Sequence, residues 1–580
     1  MSFRMLLGRA VRSPAARLAW PLLVSASLAL SANAGTIHVD QRALGGGDGS
    51  RNAPFSSIQD AADAARGGDH VIVAPGTYYE RPTFTRLDSA ADRPVWIKAE
   101  KPGTVTISAM WREAAEGEVA WQPIGSGIYA AAHERPLFGH FEDKFLFRFN
   151  SVEDLHNARA GDVDLPPYGF GAENGLVYVK LPDGIDPNGR RLKFSAKKTA
   201  VVTVEKSAYV IIDGFRIEGA GEGRCIRFDA KSHHAIVRNT VLTSCRHGVR
   251  LPDHSLIEWS EYSYPGFGAF VEDVTERNSN SRAIYDLVKN YHAKNWLEGG
   301  LAISYGRKHP SKHTEFRYNF IHQTFDGEQL GRFEFASSHH NVYMHNYDNH
   351  VEFESWAGHG ARELRLHDSL MLAATHGPIS HQDAVKPHRG MIGPHHVYRN
   401  VVFGYDPLGW DSWTVIKSKV KNPAFRGLYY YNNLLWSGGS SPPDVWGPGP
   451  GPGYLFWDDK RRDMFEFRNN IIIFNEANDN SDRGLLNADY NLYVNAVDMP
   501  WLRGPNGAYL GTDPSLLGFI DVDALNFGLR ADSPVGTMPA SAPSDYARQA
   551  NAGPFPLGYD PGNEWPRPRK TVFTTDQPVY

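Results

Sequence analysis

Cysteine is nearly absent: Cys225 and Cys245 are the only two among 580 residues. A small disulfide-stapled scaffold is thereby excluded, and one bridge in an oxidising compartment stays open only if the two thiols meet. Long hydrophobic runs are missing as well. The one such run spans Leu18 to Leu30 and, at about 13 residues, is too short to cross a bilayer. Excess positive charge is also lacking: the formal net charge is −5, which argues against a nucleic-acid partner.

The apolar run has its own explanation. Arg4, Arg9, Arg12 and Arg17 precede it and Ala32-Asn33-Ala34 follows it, the pattern of a signal peptide over residues 1–34. The expectation is a mature chain from Gly35 with net charge −9, periplasmic or secreted, with no stable membrane insertion after cleavage.

Apolar residues at 41% and charged residues at 22% fit a folded soluble chain. The 56 Gly and 38 Pro point to many turns between short strands. Ile37-His38-Val39, Val71-Ile72-Val73 and Val95-Trp96-Ile97 are such strands, and the Ala-rich Ile58–Ala65 reads as a helix covering one end of a core.

From about residue 205 a unit recurs: an alternating strand, an Asn or Asp, then a second apolar run. It appears at Asp213, Asn239, Asn319, Asn346, Asp368, Asn400, Asn433, Asn470 and Asn491, with spacings of 27, 22 and 32 residues from Asn319 to Asn400. A repeat of this length signals a solenoid whose stacked Asn amides bond along a ladder at a tight bend. The alternative is a β-sandwich with chance Asn turns.

At the N-terminus stand Asp48-Gly49-Ser50, Pro54-Phe55, Ile58-Gln59-Asp60-Ala61-Ala62, Gly68-Asp69-His70-Val71 and Pro75-Gly76-Thr77-Tyr78. At the other end are Asp489-Tyr490-Asn491-Leu492-Tyr493, Phe527-Gly528-Leu529 and Ser533-Pro534. Together they resemble the first and closing coils of right-handed parallel β-helix proteins of the pectate-lyase-like superfamily. The resemblance implies an all-β solenoid of ten or more coils with an N-terminal capping helix. Its expected parts are first coils over 35–108, a β-rich insertion over 109–204, the main helix over 205–500, and closing coils with an irregular wrap over 501–580. It implies little about chemistry, because one fold hosts many activities. Gly358-His359-Gly360 with Val415-Ile416-Lys417 is similar to polygalacturonase signatures, but the paired-aspartate segments are missing.

Chemistry-bearing residues concentrate late in the chain, where 13 of the 24 histidines fall between His313 and His396. Counting coils from Asn319, Asn346 and Asp368 puts Asp326, His350 and His376 in one column and Glu328 and Glu352 in another. Alternation with Val351 and Phe353 sends His350, Glu352 and Glu354 outward, whereas Leu330 pulls Glu328 inward by the same rule. Three chemistries fit such a cluster: Ca²⁺ held by Asp326, Glu328 and Glu354, a carboxylate acid/base pair including Glu352, or a histidine-bound transition metal or proton shuttle. A solvated face without function is the remaining reading.

A polysaccharide lyase would need a base and cations to neutralise a uronate carboxylate. Lys417 or His381 is the expected base, with Lys386 and Arg389 neutralising. Lysine in that role requires a lowered pKa. Arg227 and Arg250 align on successive coils, which is tolerable when an anion lies between them. Arg250, His350, His376, Trp410 and Trp413 are the expected substrate contacts, the rings stacking on sugar faces. The functional expectation is an acidic polysaccharide cleaved by β-elimination. An inverting glycoside hydrolase and a non-catalytic glycan-binding protein are the alternatives.

Overall fold

Corners determine this fold. In successive coils one residue adopts left-handed backbone: Trp259, Tyr318, His340, Asp368, Arg399, Asn432, Asn469 and Tyr490, with φ between 50 and 58°. The residue after each is Ser, Asn or Ser again, and its side chain accepts the backbone N–H of the same position one coil earlier. The series runs Ser260 N–H to Asn319, Asn319 to Asn341, Asn341 to Ser369, Ser369 to Asn400, Asn400 to Asn433, Asn433 to Asn470 and Asn470 to Asn491, at 2.8–3.2 Å. Each such bond is worth about 1 kcal/mol net and fixes where the chain turns. The ladder expected from sequence is thus present, but its members are Asn341 and Ser369, not Asn346 and Asp368.

The computed structural model describes residues 34–278, 300–303, 310–354, 361–374, 377–382, 393–404, 413–420, 427–437, 453–457, 464–474, 487–494, 500–521 and 526–537. Residues 1–33 of the signal peptide expected over 1–34, and the expected C-terminal wrap beyond 537, lie outside them. Among the described residues no helix is long and apolar enough to cross a membrane.

Strands before the corner form a 13-stranded parallel sheet in chain order, from Thr36–Val39 and His70–Val73 through Leu364–His367 to Asn487–Asp489. Strands after it form the second long sheet, including Val342–Asn346, Leu370–Ala374 and Val401–Gly404. A third wall stacks Val351–Glu352, Ile379–Gln382, Trp413–Lys419 and Gly453–Trp457. The chain is an all-β right-handed parallel β-helix. Inward columns such as Val237, Ile257 and Phe316 on the first sheet and Ile321, Tyr343 and Met371 on the second fill one continuous apolar core. Helix Ile58–Ala64, capped by Ser57, buries Ile58, Ala61 and Ala62 in that core.

Between strands Val105–Ser108 and Ala200–Glu205 the chain leaves the ladder. It forms an antiparallel four-stranded sheet around its own core of Trp121, Phe141, Phe170 and Phe194. Strand Ala200–Glu205 already pairs within the helix wall. A second departure, helix Phe267–Arg277, has no counterpart in the repeat reading; Phe267 and Phe270 meet Phe145 and Phe147 at 5.2–5.6 Å. Cys225 and Cys245 are bonded inside the core, tying neighbouring strands of two coils.

The coil spacing also explains the histidines. Stacked positions lie about 4.8 Å apart, the distance at which flat rings pile up. His254, His313 and Phe335 stack at 4.9 and 5.1 Å; His339, His367, Tyr398 and Tyr431 stack at 4.6–5.0 Å. These histidines need no metal to account for them.

Candidate active site

The true ladder sets a register that differs from the expected one. Asn319 and Asn341 each stand seven residues before an aspartate, so Asp326 and Asp348 share a column. The backbone agrees: Asp348 N–H donates to Phe325 O at 2.8 Å. Glu328 pairs with Val351, and Glu352 with Ser380, which in turn pairs with Lys417. The expected pairings of Asp326 with His350 and of Glu328 with Glu352 are therefore corrected. Anchoring the second coil on Asn346, five residues late, caused the slip.

On the outer side of the third wall this register gathers acids. Oxygens of Asp326, Asp348 and Glu352 all lie within 4.8 Å of one another. Lys417, two coils further on, extends its ammonium to Asp348 Oδ1 at 3.4 Å, Asn349 Oδ1 at 3.3 Å and Glu354 Oε1 at 4.0 Å. Glu354 also accepts hydrogen bonds from Ser380 Oγ at 2.7 Å and from Gln382 Nε2. Tyr347, just before Asp348, is braced edge-on by Phe267 of the helix at 4.8 Å.

Glu352 is 6% exposed. Burial, then the like charges of Glu354 and Asp348, push its carboxyl well above the ordinary range, against the pull of Lys417 and Arg332. Its surroundings therefore favour the protonated form more than an ordinary glutamate's do. Lys417 shows the opposite balance. Burial alone would lower it, but Asp348, Glu354, Glu352 and Asp326 outweigh burial and hold the ammonium above its usual range. A base with a lowered pKa is what a lyase would want there; Lys417 is instead a fixed cation. The cluster thus has one carboxyl raised above its ordinary range beside an aspartate with its own counter-ion.

Three other expected site residues turn inward. Glu328 lies inside the helix, where Tyr343 Oη and Ser338 Oγ donate to its Oε2 at 2.5 and 2.8 Å, and burial raises it to about 7. It is not an outward metal ligand, because its column continues as Val351, Ile379 and Ile416. His381 is also in the core, stacked on Phe353 at 4.8 Å and hydrogen-bonded to Tyr430 at 2.6 Å; burial drives it well below its ordinary value, so it faces no substrate. His350 is fully buried beside Asn346 at 3.0 Å and held neutral, to about 3, by the same burial. Lys386, Arg389, His376 and Trp410 lie outside the described residues, and of Trp413 only the backbone is described, in strand Trp413–Lys419.

Arg250 is half-buried on the outer side, in register with Arg227 and Ile303. Arg227 is committed to Glu205 at 2.6 Å. Sequence reasoning missed Asp348 and Arg332 as site members. The equal spacing from Asn319 and Asn341 would have found Asp348; Arg332 sits in a short helical turn that no repeat marks.

The three acids offer only hard oxygen donors. Mutual separations up to 4.8 Å match oxygens on opposite sides of an ion with bonds of ~2.4 Å. The residues therefore fit a divalent cation such as Ca²⁺ as well as they fit a proton.

No family model matches the chain, and no curated protein matches it. Among solved structures it is similar to that described as the complex structure of XylC with xylose, with TM-score 0.50 and 14% identity over 84% of this chain and 88% of that one. It is also similar to pectate lyase Pel9A, with TM-score 0.40 and 12% identity over 88% and 93%. A rhamnogalacturonan lyase matches with TM-score 0.32 and 9% identity over 83% and 86%. At this identity the likeness is one of fold: the chain shares the parallel β-helix architecture.

Proposed function

We propose that the chain is a carbohydrate-active enzyme that hydrolyses glycosidic bonds of a polysaccharide, using Glu352 as proton donor and Asp348 as its ionised partner. The observation that carries this reading is a carboxyl raised well above its ordinary range beside a carboxylate held by Lys417. Pairs whose surroundings push their pKa values apart divide the labour of acid and nucleophile. The fold, shared with a xylose-complexed structure, supports a sugar substrate.

Spacing favours retention of configuration. Oxygens within 4.8 Å suit the ~5–5.5 Å of a retaining pair, not the ~6.5–9.5 Å that leaves room for water in an inverting one. Glu352 gives its proton to the glycosidic oxygen as the C1–O bond breaks, and Asp348 attacks C1 to form a glycosyl ester. Water then attacks C1, losing a proton to the Glu352 carboxylate, and Asp348 leaves as carboxylate. Lys417 orients Asp348 and stabilises its charge before and after.

A second reading, β-elimination, is favoured only by the cation fit. Asp326, Asp348 and Glu352 would hold the ion, which neutralises a uronate carboxylate when bound. Its expected bases speak against it: Lys417 stays protonated and His381 faces the core.

The test is Glu352→Gln and Asp348→Asn on a panel of neutral and uronate polysaccharides, read as reducing ends. Each should lose about 10²–10⁴ in rate, and wild type treated with EDTA should keep its rate. Full activity in both variants overturns the assignment. Loss with EDTA, restored by Ca²⁺, moves the triad to metal binding.

A further inference from the structure

The outer face of the first long sheet carries a chain of hydrogen bonds that the proposed cleavage does not use. Strands Ser337–His339 and Leu364–His367 are neighbours there, with Ser337 in register with Arg365 and His339 with His367. Ser338, Leu364 and Leu366 point into the core, so Ser337, Arg365 and His367 face outward. Asp368 follows at the corner with φ 50°, and its carboxylate turns back onto the ring before it. Ser337 Oγ lies 3.1 Å from His367 Nε2, and His367 Nδ1 lies 2.6 Å from Asp368 Oδ2. The coils on either side carry His339-His340 and Tyr398-Arg399 at the positions of His367 and Asp368, so the repeat does not dictate the arrangement.

The proton positions follow from the partners. Arg399 binds Asp368 through Nε at 2.8 Å and through Nη2. Burial works to raise the Asp368 carboxyl, but its hydrogen bonds to His367 and Arg399 outweigh burial and hold it below its ordinary range. An ionised carboxylate only accepts, so His367 Nδ1 carries the hydrogen, Nε2 keeps its lone pair, and the Ser337 hydroxyl donates to it. Burial lowers His367 below its ordinary value, which leaves the imidazole neutral at pH 7 and able to take a proton. His339 and Tyr398 sandwich the ring at 4.7 and 4.6 Å and fix its plane. Ser337 and His367 both keep part of their surface in solvent, 14% of the side chain for His367. A hydroxyl bonded to a base that a third group orients is the arrangement of nucleophilic acyl transfer, which is recognised by geometry and not by chain order. Arg365 brings positive charge one strand from Ser337, about 4.8 Å, which favours the oxyanion that develops there.

We propose that Ser337, His367 and Asp368 form a second catalytic site, which removes short acyl groups from the hydroxyls of a sugar. Ser337 Oγ attacks the ester carbonyl carbon as its proton passes to His367 Nε2. The tetrahedral intermediate expels the sugar oxygen, which takes that proton and leaves as the alcohol. Water, giving a proton to Nε2, then attacks the acyl-serine; the carboxylic acid departs and Ser337 recovers its proton. Glu315 and Arg365 flank Ser337 in register, and such charged neighbours suit an acetyl group and not a fatty chain. The activity is additional to glycosidic cleavage; only the choice of a sugar as the alcohol rests on that reading.

The experiment gives the full-length chain p-nitrophenyl acetate and acetylated xylan, read as nitrophenolate and acetate released. In parallel a fluorophosphonate probe is applied and the labelled peptide is mapped by mass. The expected result is release from both esters and a label on Ser337. Ser337→Ala should melt as wild type does and lose about 10²-fold or more of the release, as should His367→Gln. His233→Gln, at an exposed histidine, should keep the full rate, which separates the site from simple imidazole catalysis. No release from either ester, a label on another residue, or an unchanged rate in Ser337→Ala overturns the proposal. Release from the nitrophenyl ester alone, with Ser337 labelled, overturns the sugar as the alcohol. Should a variant fail to fold, the label on wild type and the loss of acetate release after labelling still decide. Glu352→Gln should keep its acetate release. Acetate release without reducing ends from wild type would sink the cleavage reading and leave the ester site standing; reducing ends without acetate release would do the reverse.

Discussion

Glu328 lets the register be tested by its consequence for stability. Its carboxyl sits inside the helix, bonded to Tyr343 and Ser338, and is raised to about 7 from 4.5. A raised folded-state pKa means the native state binds the extra proton. Its contribution is fully present below pH ~4.5 and is lost as pH rises towards 7, beyond which the loss levels off. Moving the carboxyl from 4.5 to about 7 amounts to roughly 3 kcal/mol. Glu328→Gln keeps the shape and cannot ionise. Wild type and variant should therefore melt alike at pH 4, while at pH 9 the variant should be more stable by up to about 3 kcal/mol, a gain of a few degrees. Thermal melts of both chains from pH 4 to 9 read this directly. A difference that does not change with pH, or a variant that is worse at pH 9, would refute the inward placement of Glu328.

Three other outcomes follow from named contacts. Asn433→Ala removes a buried amide that accepts from Asn400 N–H and Nδ2 and donates to Val397 O and Asn470 Oδ1, so it should cost about 3 kcal/mol in denaturant unfolding; less than 0.5 kcal/mol would deny the ladder its role. Lys417→Met leaves Glu352 without the cation that pulls its pKa down, so the alkaline limb of kcat/KM should move to higher pH as the rate falls; an unmoved limb contradicts the coupling. Reducing Cys225–Cys245, which closes a loop of 20 residues, should lower stability by about 3 kcal/mol in the chain-entropy account, read as a lower melting temperature with reductant present.

Much of the architecture was legible in sequence because each coil repeats the same local instruction. A strand, a corner and a ladder residue recur, and the Asn amides leave a visible mark. What sequence misjudged was which residue carries the ladder. The left-handed position accepts Trp259, His340 or Arg399 as readily as Asn, because the ladder bonds made by its neighbour pin the backbone. Asp368, at that position, and Asn346, within a strand, therefore passed for ladder members, while Ser369 did not.

The site suffered from the same slip. One wrong anchor exchanged Asp348 for His350 in the column of Asp326 and paired Glu328 with Glu352. The histidine excess was misleading for a physical reason: rings stack well at the coil spacing, so imidazoles collect along corners and in the core. The upward shift of Glu352 and the fixed charge of Lys417 depend on burial and on neighbours up to three coils apart, which no linear pattern records. The outward course of Glu352 and Glu354, by contrast, followed from simple alternation with Val351 and Phe353.

The central claim is that a carboxyl pair, and not a lysine or histidine base, breaks the bond. The most direct test follows the products of the wild-type chain on a cleaved polysaccharide in one tube, by absorbance at ~235 nm and by NMR of the first anomer released. Hydrolysis by Glu352 and Asp348 predicts new reducing ends, no absorbance, and an anomer of the same configuration as the bond cleaved. Rising absorbance from an unsaturated product, or an inverted anomer, would contradict it.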